Sequence, residues 1–340
     1  MTAHSDLYLR PENVYAIASA KVDPASLLCI DDLPHARLAT MGASFALVDH
    51  NKLLPILGDA GVTAIIDHHV DEGFAASATP RVIKPSGSCA SLVAGHFAGL
   101  LPDGTAVPRG LSDLLLSSIL IDTGLKPSPD GKATADDLNA AAWLLPHSSL
   151  ATATTAGTEV LPNMLPTDPA LKSLISLLSA KKLDVTDLSG RDLLRRDYKE
   201  YQQGPWRYGL STVPLGLTGW LAKTGATSED KGLSGWTLVN EDIRRWMQER
   251  DLAMAAVLTS FDTGDKSVKK GGLGKHAREL LVVVNDPKLV SVLEELPRNG
   301  DLQLGAWRGG QVEAGPRWRV WQQGNVKVSK WPGARPGLGR

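Results

Sequence analysis

The sequence is poor in several features, and each shortage excludes a class of protein. It holds only two cysteines, Cys29 and Cys89, among 340 residues. That is too few for a disulfide framework and fits a reducing compartment, so a cytoplasmic location is expected. No apolar run approaches the roughly eighteen residues that a membrane helix needs, so no membrane partner is expected. The opening MTAHSDLYLRPE lacks the charged-then-apolar pattern of a secretory signal. Internal repeats and low-complexity tracts are absent. The nine tryptophans are scattered, whereas a platform for single-stranded nucleic acid would group aromatics on a strand face. No nucleic-acid partner is expected. Net charge is almost missing as well, at −1, but its distribution is uneven. Residues 1–150 carry 9 basic and 16 acidic side chains, a net of −7; residues 265–340 carry 14 and 7, a net of +7. The acidic part suits cations and the basic part an anion, unless the charge is simply scattered over the surface.

What is present is a globular composition, 43% hydrophobic and 21% charged, over a length that suggests two domains. The first 125 residues alternate short apolar runs with helical patterns. SLLCI (26–30) precedes Asp31-Asp32, FALV (45–48) precedes Asp49-His50-Asn51, and TAII (63–66) precedes Asp67-His68-His69. LLLSSILI (114–121) precedes Asp122-Thr123-Gly124 and reads equally as a strand or a buried helix. Such runs predict buried strands of a parallel sheet. About fourteen residues separate Val48 from Thr63, enough for a short crossover helix. TADDLNAAAWLL (134–145) predicts a helix with Thr134 as its N-cap. Residues 147–169 read as a linker or a surface excursion. From about 170, LKSLISLLSAKKLDVTDLSGRDLLRRDYKEYQ predicts helix with one break. TVPLGL (212–217), AAVLTSF (255–261) and ELLVVV (279–284) predict strands. The fold class is α/β.

Four runs end in an acid, at the strand edge where open α/β sheets bind ligands. A single such Asp is ordinarily a helix cap or turn residue. Several converging acids repel one another, and a bound cation removes that penalty. Asp-His-His closing one strand and Asp-His-Asn closing another point to a divalent metal held by mixed carboxylate and imidazole ligands. Such ions can clamp the attacking and leaving oxygens of a phosphoryl transfer, with a neighbouring His as general acid.

LVDHN (47–51), IIDHHVDEG (65–73), GSCASLV (87–93) and ILIDTG (119–124) together resemble the DHH phosphoesterase superfamily. LRRDYKEY (194–201) and ARELLVVV (277–284) resemble the DHHA2 second domain. The pairing is similar to fungal-type exopolyphosphatases, from DLYLRPENVY (6–15) to about Ser329. The resemblance implies a parallel-sheet DHH domain plus a smaller α/β DHHA2 domain, with an active-site cleft between them. It divides the chain into a DHH metal-binding domain over 1–165, short at its N-terminal side, a linker over 166–190, a DHHA2 phosphate-binding domain over 191–330 and an unstructured tail over 331–340.

The resemblance also implies roles. Asp49, His68 and Asp122 match metal ligands for Mn2+ or Mg2+, with Co2+ a further option. His69 matches the histidine that faces the phosphate, and Asp67 orients a histidine. His69, His68 and Asp67 are therefore the expected catalytic set. Lys199 matches a phosphate-binding lysine; its alternative is a helix surface shared with Arg195. Arg278 is a further phosphate candidate or a surface arginine. Ser88 and Cys89 would turn backbone N–H groups toward an anion at a helix start, or simply form a tight turn.

Two departures stand beside the likeness. The family's Asp-x-Asp segment belongs ahead of Asp6, where this sequence has only MTAHS; His4 receives no role. The family's C-terminal Ser-Arg-Lys reads here as SKWPGARPGLGR, with Lys330 a partial substitute. One metal is then expected to be poorly held, and an incomplete coding sequence is the expected cause. The expected function is a metal-dependent exopolyphosphatase acting on polyphosphate, with a pyrophosphatase or a catalytically inactive binding protein as alternatives. A DHH nuclease ranks third; GGLGKHARE (271–279) resembles its glycine-histidine motif only superficially.

Overall fold

The computed structural model describes residues 2–34, 37–38, 40–54, 57–102, 105–153, 155–156, 158–225, 233–262, 276–310 and 315–324. The chain divides into two compact units, Met1–Asp184 and Val185–Arg340.

The first unit runs through α1 (Pro11–Ser19), β1 (Ser44–Val48), β2 (Gly61–Asp67), β3 (Arg81–Ile83), α2 (Cys89–Ala98), α3 (Arg109–Thr123), α4 (Ala135–Leu144) and α5 (Pro169–Leu183). Its sheet is parallel throughout, in the order β1-β2-β3. Val48 pairs with Ile66, so β1 and β2 finish side by side. The last residues of β2, Ile65 to Asp67, are fully buried, but β1 alternates exposed and half-buried positions. Among the described residues β1 has a neighbour on one edge only, and its alternating exposure is not that of the buried strand its apolar run predicts.

Two of the predicted strands are absent. SLLCI lies on short 3-10 turns, Pro24–Ser26 and Ile30–Asp32, where Asp23 and Asp32 hold backbone amides that a strand would need for pairing. LLLSSILI is helix α3. Its buried positions Ser112, Leu116, Ile119, Leu120 and Thr123 recur at helical spacing, and Gly124 ends it in the left-handed region at φ 55°. The crossover from Val48 to Thr63 contains no α-helix among its described residues, in which Leu57 has 3-10 geometry. α4 begins as expected, with Thr134 and Asp137 forming a reciprocal capping box. Residues 166–190, expected as a linker, hold α5, whose Leu171 and Leu178 are buried against Leu116, Leu120 and Leu144 of the first unit's core.

The second unit contains α6 (Gly190–Arg196), β4 (Tyr198–Gln203), β5 (Trp206–Val213), α7 (Leu217–Lys223), α8 (Leu233–Arg250), β6 (Met254–Asp262), β7 (His276–Val284), α9 (Val292–Glu295), β8 (Leu304–Ala306) and β9 (Trp318–Gln323). They build a mixed sheet in the order β4-β5-β6-β7-β9-β8, parallel only between β5 and β6. α8 buries Trp236, Val239, Ile243, Trp246 and Met247, again at helical spacing. Leu280, Val282, Val284, Leu293 and Trp321 form a core under the β7 side of the sheet.

Two extents differ from the sequence reading. YKEYQ (198–202) is strand, not helix: α6 stops at Arg196 and β4 pairs with β5 in antiparallel register. Tyr198, Tyr201 and Tyr208 give this ribbon its β preference, and Tyr201 stacks on Tyr208 with ring centroids 5.4 Å apart. TVPLGL contributes only Thr212 and Val213 to β5 before α7 starts at Leu217. No helix among the described residues is long and apolar enough to cross a membrane.

Candidate metal centre

Asp49 follows β1 in the left-handed region, at φ 61°. Asp tolerates that conformation better than most residues, and here it bends the chain just past the sheet edge. The Asp49 N–H donates to the Ile66 carbonyl at 3.1 Å, fixing the bend beside the end of β2. His68 and His69 then enter from β2. His68 Nε2 lies 3.1 Å from Asp49 Oδ1. The ligand atoms of Asp49, His68 and His69 all fall within 4.8 Å of one another.

The imidazoles are oriented from behind. His68 Nδ1 lies 2.9 Å from the Ser86 carbonyl, which can only accept, so Nδ1 carries the proton. That leaves Nε2 as the nitrogen facing Asp49. His69 Nδ1 donates to Asp67 Oδ1 at 2.8 Å. Asp67 is fully buried, and the His68 and His69 backbone amides also donate to its Oδ1, at 2.7 and 3.2 Å. Its other oxygen accepts from Asn51 Nδ2 at 2.5 Å. Burial pushes the Asp67 carboxyl up, but the bonds from His69 and Asn51 outweigh it and hold the carboxyl below its ordinary range. Asp67 therefore stays charged beneath the two histidines.

Asn51 is itself fixed, donating to the Val70 carbonyl at 3.0 Å and accepting the Glu72 N–H at 3.0 Å. The loop that carries Ser86 is organised by Asp137. This buried carboxylate accepts from Ser86 Oγ, Gly87 N, Ser88 N and Ser91 Oγ, and from both N and Oγ1 of Thr134, at 2.6 to 3.1 Å. Burial raises the Asp137 carboxyl, and the hydrogen bonds from Ser91, Thr134 and Gly87 bring it below its usual value. A chain of contacts thus runs from α4 through the 86–88 loop to the His68 ring.

The other expected site residues separate into two groups. Asp122 is not at a strand end but on the last turn of α3, where its Oδ2 accepts from Ser88 Oγ at 2.7 Å. It is outside the Asp49–His68–His69 cluster, and its charge helps to raise the nearby Cys89 thiol. The Ser88 N–H, expected to face an anion, is spent on Asp137, and Ser88 is buried. It offers no free amide at the start of α2. In the second unit, Lys199 is exposed on β4 and Arg278 half-exposed on β7. Lys199 pairs with Leu210, Leu210 with Ala256 and Ala256 with Val282. Arg278 is an even number of residues from Val282, so strand alternation places Lys199 and Arg278 on one face of the sheet. The helix-surface alternative for Lys199 fails, since Arg195 is on α6 and pairs with Asp192 at 3.0 Å. Residues 271–275 of GGLGKHARE, Lys330 and the 331–340 tail lie outside the described residues.

Sequence reasoning missed Ser86 and Asp137, whose roles depend on contacts between distant segments. Asp137 looks in sequence like a helix-capping acid, which it also is. Cys89 is a further surprise: its Sγ donates to the Ile66 carbonyl at 3.2 Å, and its ligand atom lies within 4.8 Å of those of Asp49 and Asp67. Burial is the main reason its thiol is pushed up to about 12.

The donor set fits a hard or borderline divalent ion. Two cis ligands of an octahedral ion with bonds of about 2.1 Å stand about 3 Å apart, close to the His68–Asp49 separation. The fixed Nδ1 proton of His68 leaves the other nitrogen available as a ligand.

Known proteins resemble this chain in sequence and in fold. Residues 176–330 match the DHHA2 domain family. The chain is 29% identical over 251 residues to a Schizosaccharomyces pombe protein named as an exopolyphosphatase, across 70% of this chain and 60% of that protein. It is 29% identical over 183 residues to a Deinococcus radiodurans protein named as a manganese-dependent inorganic pyrophosphatase, across 51% and 50% of the two chains. The chain thus spans between half and three fifths of the length of these relatives. A Methanococcus jannaschii family II inorganic pyrophosphatase, known from its crystal structure, shares the fold with a TM-score of 0.53 at 20% identity, over 84% of this chain and 79% of that one. The chain thus carries a DHHA2 domain over residues 176–330 and is similar to proteins named as exopolyphosphatases and inorganic pyrophosphatases.

Proposed function

We propose that this protein is a metal-dependent hydrolase of phosphoric anhydrides, releasing terminal phosphate from linear polyphosphate in the cytoplasm. The observation that carries the reading is the His68 ring, tied at Nδ1 to Ser86 and presenting Nε2 to Asp49 at 3.1 Å. Asp49 and His68 would hold Mn2+ or Mg2+, with Asp122 as a further ligand; Co2+ suits the same donors. A bound ion of this kind supplies charge neutralisation on the phosphate and a more acidic water.

The chain's own residues supply the rest. Asp67, kept ionised, fixes the His69 ring through Nδ1. His69 Nε2 is then the nitrogen that would pass a proton to the leaving phosphate oxygen. Lys199 and Arg278 give the second unit two cations on one sheet face for binding phosphate, as a polyanion requires. Pyrophosphate is the second substrate to consider, because one relative bears that activity in its name.

The test is phosphate release from long-chain polyphosphate and from pyrophosphate, with Mn2+ or Mg2+, comparing the wild type with His68→Ala. Release that needs both the metal and His68 supports the enzyme. No release from either substrate by a folded protein would leave a binding protein in its place.

A further inference from the structure

A second cluster of metal-ligating side chains lies apart from Asp49 and His68. We propose that His4, Cys29 and Asp32 form a separate site for a transition metal of the zinc type. Their ligand atoms all lie within 4.8 Å of one another. The three donors differ in kind, one imidazole, one sulfur and one carboxylate, which is the mixture that suits Zn2+ and Co2+ rather than Ca2+ or Mg2+.

The local fold explains why they meet. Cys29 and Asp32 bracket one 3-10 turn, Ile30–Asp32, in which the Cys29 N–H donates to Asp32 Oδ2 at 2.7 Å. Both Asp32 oxygens face His4 Nε2, Oδ1 at 2.8 Å and Oδ2 at 3.0 Å. His4 opens another turn, His4–Leu9, and its backbone N–H donates to both oxygens of Asp31, at 3.1 and 3.2 Å. The Ile30 N–H donates to the Thr2 carbonyl at 2.9 Å, so both segments are joined before any metal arrives. Cys29 is 1% exposed, whereas the His4 and Asp32 side chains are 44% and 38% exposed. The sulfur therefore forms the floor of the site, and the other two donors form its rim.

Tetrahedral ligands at Zn–N and Zn–S distances stand about 3.5 Å apart. His4 and Asp32 need to separate by under about 1 Å, and Cys29 Sγ, within 4.8 Å of both, to approach by no more than about 1.3 Å. Coordination releases two protons to solvent, one from the Cys29 thiol and one from His4 Nε2, or the latter passes to His4 Nδ1; the metal then takes the place of the His4–Asp32 hydrogen bond. Three protein donors leave a fourth position for water. The ion would clasp the His4–Leu9 turn to the Cys29–Asp32 turn. The site is independent of phosphate hydrolysis.

The test is a titration of the reduced full chain with Co2+ alone, read at the sulfur-to-cobalt charge-transfer band in the near ultraviolet. The expected result is a band in the wild type that Zn2+ removes, that survives in Cys89→Ser and His68→Ala, and that is lost in Cys29→Ser. His4→Ala should weaken Co2+ binding by about tenfold or more. Because His4 is exposed, that variant keeps the test decisive should Cys29→Ser fail to fold. No band in folded wild-type protein, a band that disappears with Cys89 instead, or unchanged affinity in His4→Ala would each overturn the proposal.

Discussion

Asp137 is the residue whose loss should be felt most widely. Its two oxygens accept from three backbone amides, those of Gly87, Ser88 and Thr134, and from three hydroxyls. Asp137→Ala leaves all three amides without this acceptor. The segment 87–88 is buried, and each stranded buried amide costs about 1–3 kcal/mol. Losing the reciprocal cap of α4 costs about 1 kcal/mol more. The expected loss is about 4 kcal/mol. Asp137→Asn keeps one acceptor oxygen. Its amide can turn toward the Ser86 and Ser91 hydroxyls, which rotate to accept, so the Ser88 amide is the principal casualty. About 2 kcal/mol is expected there. The assay is urea unfolding followed by circular dichroism, with amide hydrogen exchange at residues 87, 88 and 134 to locate the change. An Asp137→Ala loss below about 1 kcal/mol, or an Asn variant as damaged as the Ala variant, would refute the reasoning.

The remaining predictions follow from the same contacts. Gly87→Ala would place a Cβ 2.6 Å from both Asp137 Oδ2 and Thr123 Cγ2, so about 1–3 kcal/mol of destabilisation is expected in urea unfolding, together with weaker Mn2+ binding by calorimetry. The folded pKa of Asp137 lies below its unfolded value of 3.8, so its stabilising contribution is complete above that pH and is lost as pH falls through the folded value. Urea unfolding followed from about pH 5 downward should show this loss setting in near the unfolded value and growing below it, and Asp137→Asn should flatten it; an equal slope in both proteins would count against it. Asp67→Asn removes the ionised acceptor of His69 while keeping its shape, and metal affinity or phosphate release should fall by about 10- to 100-fold.

Much of the site was readable in advance because its parts are local. Asp49 and the Asp67-His68-His69 run occupy strand ends, and a short apolar run stopped by such residues marks a sheet edge wherever the strand lies. The capping box at Thr134 and strands β6 and β7 are local in the same sense. LLLSSILI was not decidable, because six apolar residues around two serines satisfy either period; burial at Leu116, Ile119, Leu120 and Thr123 selects helix. YKEYQ misled for a related reason. Its charges suit a helix surface, but pairing with β5 outweighs that local preference.

By itself, then, the sequence determined the α/β class, the ends of β1 and β2, and the kinds of donor gathered there, because alternation and turn chemistry act over a few neighbouring residues. Only the tertiary structure decided which donors meet. It moved Asp122 from a strand end to α3, spent the Ser88 amide on Asp137, and brought Ser86 behind His68. It also set His4 beside Asp32, 28 positions away. These are contacts between segments far apart in the chain, and their energies depend on burial and on competing hydrogen-bond partners. Neither is written into any one stretch of residues.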